Sequence, residues 1–126
     1  MTGLVITSFN CPNYLKLCFE SLLRADLSRI DKICIVDDCS TDPEVYRLIT
    51  WFTINVQKNV GTTLKTENKS IKDSLLTGFN YFFEDGFDTV INLDGECQVR
   101  YNFVDKLLQN ENCYEGQIIH LTNKII

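Results

Sequence analysis

Acidic side chains gather where short apolar runs end. Asp37 and Asp38 follow Ile33-Cys34-Ile35-Val36, and Asp94 and Glu96 flank Gly95 after Val90-Ile91-Asn92-Leu93. Carboxylates that share one cleft repel one another, and the usual remedy is a divalent cation or a ligand rich in hydrogen-bond donors. With a single His in the chain and no C-x-x-C pair, oxygen ligands of this kind favour Mg²⁺ or Mn²⁺ over zinc. Asp94 and Glu96, two apart, would point to opposite faces of a strand. Gly95 between them permits a tight turn that lets both carboxylates face one ion. Other polar groups stand in comparable places: Thr7, Ser8 and Asn10 after a first apolar run, and Asn59 and Gly61 after a third.

Competing chemistries lack their residues. No G-x-G-x-x-G follows the first run and no P-loop sequence occurs. The lone histidine, His120, lies in an apolar stretch with no nucleophile elbow to serve. The six cysteines, Cys11, Cys18, Cys34, Cys39, Cys97 and Cys113, form no C-x-x-C pair, so a zinc site is not expected. Cys18 and Cys34 fall inside apolar patterns and are expected to be reduced, small buried hydrophobes.

The elements that must carry these groups fit one domain, residues 1–126. The 126 residues include 12 Lys+Arg against 17 Asp+Glu, a net charge of −5, with 44% hydrophobic residues. That length supports a core without staples. The acidic balance and the lack of a basic run disfavour a nucleic-acid binder, and no nucleic-acid partner is expected. No apolar run reaches the roughly 18 residues of a membrane span, and residues 1–10 lack a signal peptide's basic start, so a cytoplasmic chain is expected.

Strand-like runs at residues 4–9, 32–36, 53–57 and 89–93 alternate with helical patterns. The helices show as Leu15, Cys18, Phe19 and Leu22; as Val45, Leu48, Ile49 and Phe52; and as Ile71, Leu75, Phe79, Phe82 and Phe83. Asp42 reads as the cap of the second helix with Pro43 at its first position, and Gly86 stops the third. A short helix around Phe103, Leu107 and Leu108 and a last strand at residues 118–121 complete the pattern. Such alternation predicts an α/β fold: a Rossmann-like three-layer sandwich with a mostly parallel sheet and helices on both faces. Ligands of such sheets bind beyond the carboxyl ends of the strands, where the polar groups named above would converge.

In order and spacing, Leu4-Val5-Ile6-Thr7-Ser8-Phe9-Asn10, Ile35-Val36-Asp37-Asp38-Cys39-Ser40, Asn59-Val60-Gly61 and Asn92-Leu93-Asp94-Gly95-Glu96 resemble the amino-terminal half of a family 2 glycosyltransferase. The resemblance spans about residues 4 to 110. It implies a GT-A nucleotide-sugar-binding domain taking a nucleoside-diphosphate sugar, with uridine diphosphate as the first choice. It further implies that Thr7, Phe9 and Asn10 line the base pocket with Asp37, and that Asp38 bonds the base. Asn59 and Gly61 become ligand contacts and Lys65 the candidate diphosphate contact. Asp94 and Glu96 match the outer acids of the D-x-D motif, which hold the nucleotide and its Mg²⁺ or Mn²⁺. Glu96 departs from the usual final Asp. The general base and acceptor site belong to a second half that this chain is expected to lack, so no catalytic base is assigned and the acceptor, whether glycan, lipid or protein, is open.

Two other readings fit the same residues. One is a non-catalytic binding module of this fold. The other is a phosphoacceptor receiver domain, suggested by the paired acids before a helix and by Asp94 ending a later strand.

Overall fold

The computed structural model describes residues 1–109 and 118–121. Five strands and four helices follow in the order β1 (Thr2–Ser8), α1 (Pro12–Arg24), β2 (Lys32–Asp37), α2 (Pro43–Asn55), β3 (Val60–Leu64), α3 (Ile71–Phe83), β4 (Thr89–Asp94), α4 (Phe103–Gln109) and β5 (Ile118–Leu121). All strand pairings are parallel, in the spatial order β3-β2-β1-β4-β5. The chain builds outward from β1 through β2 to β3, then crosses back to lay β4 on the other side of β1. That reversal puts a topological switch point between the carboxyl ends of β1 and β4, where open α/β sheets bind ligands. It also excludes the receiver reading, because that doubly wound class has the order 2-1-3-4-5.

Strand alternation divides the core in two. Leu4 and Ile6, Ile33 and Ile35, and Ile91 and Leu93 face one layer, where they meet Leu15, Phe19 and Leu22 of α1, Val45, Ile49 and Phe52 of α2, and Phe103 and Val104 of α4. Phe19 and Phe52 stack with centroids 4.3 Å apart and tie α1 to α2. Val5, Cys34, Val36 and Val90 face the opposite layer, where Phe82 of α3 is sealed and Phe79 and Phe83 pack partly buried. Helix α3 lies close on β1: a Cβ at Gly78 would stand 2.5 Å from Val5 Cγ1. The three-layer arrangement is therefore the one the sequence pattern predicts.

Local signals hold at α2 and α3. Asp42 accepts from the Glu44 N–H at 2.9 Å with Pro43 at the first helical turn. Gly86, with φ +83°, ends the α3 exit, and the Phe87 N–H returns to the Phe82 carbonyl.

The third strand is displaced from its expected position. Residues 53–55 continue α2, with the Thr53 hydroxyl donating to the Ile49 carbonyl at 2.8 Å, and the strand forms instead from Val60–Leu64. Burial of Phe52 on the helical period outweighs the β-branched composition of Thr53 and Ile54. Burial also drives the Cys34 thiol up to about 11 and the Cys18 thiol higher still, as befits apolar packing groups. Cys113 lies outside the described residues.

Candidate functional site

At the switch point a cleft of about 370 Å³ opens, in the size range of small-ligand sites. Its floor is the β1 exit, Thr7 to Cys11. One wall is Asp38, another is Asp94-Gly95-Glu96, and the start of α3 with Asn68, Ser70, Ile71 and Ser74 closes the third side. Thr7, Phe9, Asn10, Asp38, Asp94 and Glu96, drawn from strands far apart in sequence, thus meet in one place.

The wall at β4 is held against β1 by close contact. The Gly95 N–H donates to the Thr7 carbonyl at 2.7 Å, and a Cβ on Gly95 would stand 2.6 Å from that same oxygen. Gly95 serves here by lacking a side chain, and its φ is not left-handed, so the expected reason for the glycine is replaced by a steric one. Asp94 Oδ1 then accepts from the Glu96 N–H at 3.0 Å, which fixes the turn carrying both acids. Hydrogen bonding toward the Glu96 carboxylate, then desolvation and the nearby acidic charge, hold the Cys11 thiol above its ordinary value, which keeps it protonated.

The β1 exit is conformationally demanding. Asn10 and Cys11 are both left-handed, at φ 47° and 52°. Asn10 is held by bonds in both directions: its N–H donates to Ser40 Oγ at 2.8 Å, and its Oδ1 accepts from the Thr41 and Asp42 N–H groups at 2.9 and 3.1 Å. These bonds fasten the loop after β1 to the loop after β2. Phe9 is left 45% exposed at the cleft.

Four sequence-predicted residues lie elsewhere. Asp37 is fully buried, accepting from Ser8 Oγ at 2.8 Å, Ser40 Oγ at 2.6 Å and the Ser40 N–H at 2.8 Å. It braces the two loops and does not line the cleft. Asn59 and Gly61 stand at the amino end of β3, where the Asn59 carbonyl accepts from Ile33, and so face the opposite end of the sheet. Their assignment depended on a strand that ended before them. Lys65 is not among the lining residues but stands next to one: its ammonium lies 2.8 Å from Oδ1 of the lining Asp38 and also pairs with Asp73.

Residues missed from the sequence are Cys11 and the α3 entrance. Ser70 caps α3, accepting from the Asp73 N–H at 3.2 Å. A Ser three residues before an acid was the available signal.

The acids lining the cleft are Asp38, Asp94 and Glu96, and no Lys or Arg is among the lining residues. Among the described residues no three acidic, His or Cys side chains stand close enough to cage a metal. Asp94 and Glu96 offer two oxygen donors on one wall. That suits a hard cation that takes its remaining ligands from phosphate and water, the habit of Mg²⁺.

Residues 4–111 match the model described as Glycosyl transferase family 2. Among solved structures, S. aureus TarS 1-349 superposes with TM-score 0.67 at 15% identity, covering 83% of this chain and 30% of that one. The same protein crystallised in complex with UDP gives 0.69 at 15% identity and the same coverage. Longer S. aureus TarS gives 0.68 at 14%, covering 83% of this chain and 18% of that one. The chain thus spans less than a third of the length of these structures, which share its fold. Comparison with curated protein sequences finds no match. No helix among the described residues is long and apolar enough to cross a membrane.

Proposed function

The chain belongs to glycosyl transferase family 2, and from that premise we propose that its cleft binds the nucleoside-diphosphate part of a sugar donor with the help of Mg²⁺ or Mn²⁺. The observation that carries this reading is the charge of the cleft. Of its three lining carboxylates only Asp38 has an ammonium beside it, that of Lys65 at 2.8 Å, so Asp94 and Glu96 would repel a diphosphate that entered without a cation. The TarS structure in complex with UDP supports a uridine nucleotide as the first ligand to try.

Each wall has a task in this reading. Phe9 presents an exposed ring on which a base can stack. Asp38 accepts from a base N–H, and Thr7 and Asn10 shape the floor. Asp94 and Glu96 would hold the cation, which when bound neutralises the diphosphate and stabilises it as a leaving group. The α1 amino terminus, with Cys11 as its cap and no acid in its first turn, adds partial positive charge beside these acids. Transfer further requires an acceptor and a general base, and no residue lining this cleft is assigned that role.

Calorimetry tests the reading directly. Uridine diphosphate should bind in the presence of Mn²⁺, and a chelator or Asp94→Asn should weaken binding at least about tenfold, the scale of one lost charged contact. A chain folded by circular dichroism that takes up no nucleoside diphosphate with Mn²⁺ present would refute it.

A further inference from the structure

Lys65 does not itself line the cleft, but its ammonium contacts two side chains that do, Asp38 and Ser74. With its side chain only 10% exposed, it meets Asp38 Oδ1 at 2.8 Å, pairs with Asp73 Oδ2 and donates to Ser74 Oγ at 3.2 Å. Its backbone N–H is anchored on the Asp37 carbonyl at 2.9 Å. The Lys69 N–H also donates to Asp38 Oδ1, at 3.2 Å. Both donors therefore fall on one oxygen. Among the described residues nothing donates to Asp38 Oδ2, although the side chain is just 8% exposed and lines the cleft.

A carboxylate with one oxygen committed reads bases differently from a bare one. Guanine offers two adjacent donors, N1–H and N2–H, which pair best with two open oxygens. Uracil offers one imide N–H between two carbonyls. Against a bare carboxylate one of those carbonyls would meet a second lone-pair oxygen, whereas donors already on that oxygen offset the repulsion. Cytosine presents an acceptor where uracil has its N–H. We propose that Lys65 is a positioning residue that commits Oδ1 of Asp38 and leaves Oδ2 as a single acceptor, so that the cleft selects a uracil nucleotide over guanine and cytosine nucleotides.

This inference rests on the nucleotide reading above, and one calorimetric series separates the two. With Mn²⁺ present, the 126-residue chain should bind uridine diphosphate about 10- to 100-fold more tightly than guanosine or cytidine diphosphate, the penalty range for a polar group left unpaired. Lys65→Met should narrow the uridine-to-guanosine ratio about tenfold, and Lys65→Arg, which keeps a cation, should retain most of it. A merely structural role for Lys65 would lower all affinities together and leave the ratio alone. Should Lys65→Met not fold, the wild-type ranking and Lys65→Gln, a neutral donor expected to narrow the ratio partly, carry the test. No binding of any nucleoside diphosphate overturns both readings. Equal binding of the three nucleotides, or a folded Lys65→Met or Lys65→Gln protein that keeps the wild-type ratio, overturns this inference alone.

Discussion

Replacing Gly95 by alanine puts one methyl group between β4 and β1, and the structure sets the size of the effect. The new Cβ would lie 2.6 Å from the Thr7 carbonyl oxygen and 3.0 Å from Leu15 Cδ1. The nearer of these is backbone within the sheet and cannot swing aside, so the 94–96 turn must lift. Overpacking of this kind costs about 1–3 kcal/mol. Stretching the 2.7 Å bond from the Gly95 N–H forfeits about 1 kcal/mol more, giving a loss of roughly 3 kcal/mol. For a chain of this length the unfolding entropy is about 0.26 kcal mol⁻¹ K⁻¹, so Tm should fall by roughly 11 °C. Because the displaced turn carries Asp94 and Glu96, Mn²⁺-dependent binding of uridine diphosphate should weaken at the same time. Gly86→Ala is the control: its φ of +83° makes alanine strained, yet nothing lies within 4 Å, so stability should drop by about 1–2 kcal/mol with binding unchanged. Thermal unfolding by circular dichroism and calorimetry read both effects. A Gly95→Ala protein with wild-type Tm and affinity would refute the close-approach argument.

Phe9→Ala should leave stability within about 0.5 kcal/mol, since the ring is nearly half exposed and belongs to neither core layer, while nucleotide affinity falls about tenfold through lost stacking; equal affinities would remove Phe9 from the site. Asp37→Asn keeps an oxygen for the Ser8 and Ser40 hydroxyls but sets an NH2 group against the Ser40 N–H in a sealed position and should cost about 2–3 kcal/mol in urea unfolding, a loss that would be absent if Asp37 were a solvated turn residue. The Lys65 ammonium holds Asp73 below its usual 3.8, so the pair's contribution is fully present above that value and fades as pH falls through the lower folded-state one. Asp73→Asn should accordingly flatten the acid limb of a stability–pH curve, and an unchanged limb would show that the pair adds nothing.

The helices and central strands could be read from the sequence because their periodicities are produced by burial on defined faces. β1, β2 and β4 sit between two layers and give near-continuous apolar runs, and α1 and α2 carry single apolar stripes. β3 could not be read in this way. It is an edge strand, Val60-Gly61-Thr62-Thr63-Leu64, with no fully buried residue, so nothing forces an apolar run on it, while Thr53 and Ile54 imitate a strand inside the last turn of α2. The misplacement carried Asn59 and Gly61 to the wrong end of the sheet. Asp38, Asp94 and Glu96 were legible because they end buried strands. The roles of Asp37 and Lys65 were not, since both are decided by partners reached only through tertiary packing: Ser8 and Ser40 for one, Asp38 and Asp73 for the other.

The return of β4 to the far side of β1 also bears on the order in which the molecule can assemble. Ser8 and Asp37, at the ends of β1 and β2, are joined across 29 residues, whereas Met1 and Asp88, at the starts of β1 and β4, are joined across 87. Closing the longer loop costs about 1 kcal/mol more chain entropy. The β1–β2 half of the cleft can therefore form from local contacts, and the acidic wall arrives only with the most distant strand pairing. A ligand seated between the two would hold the ends of that long loop together, and its binding would register as resistance of the whole chain to unfolding.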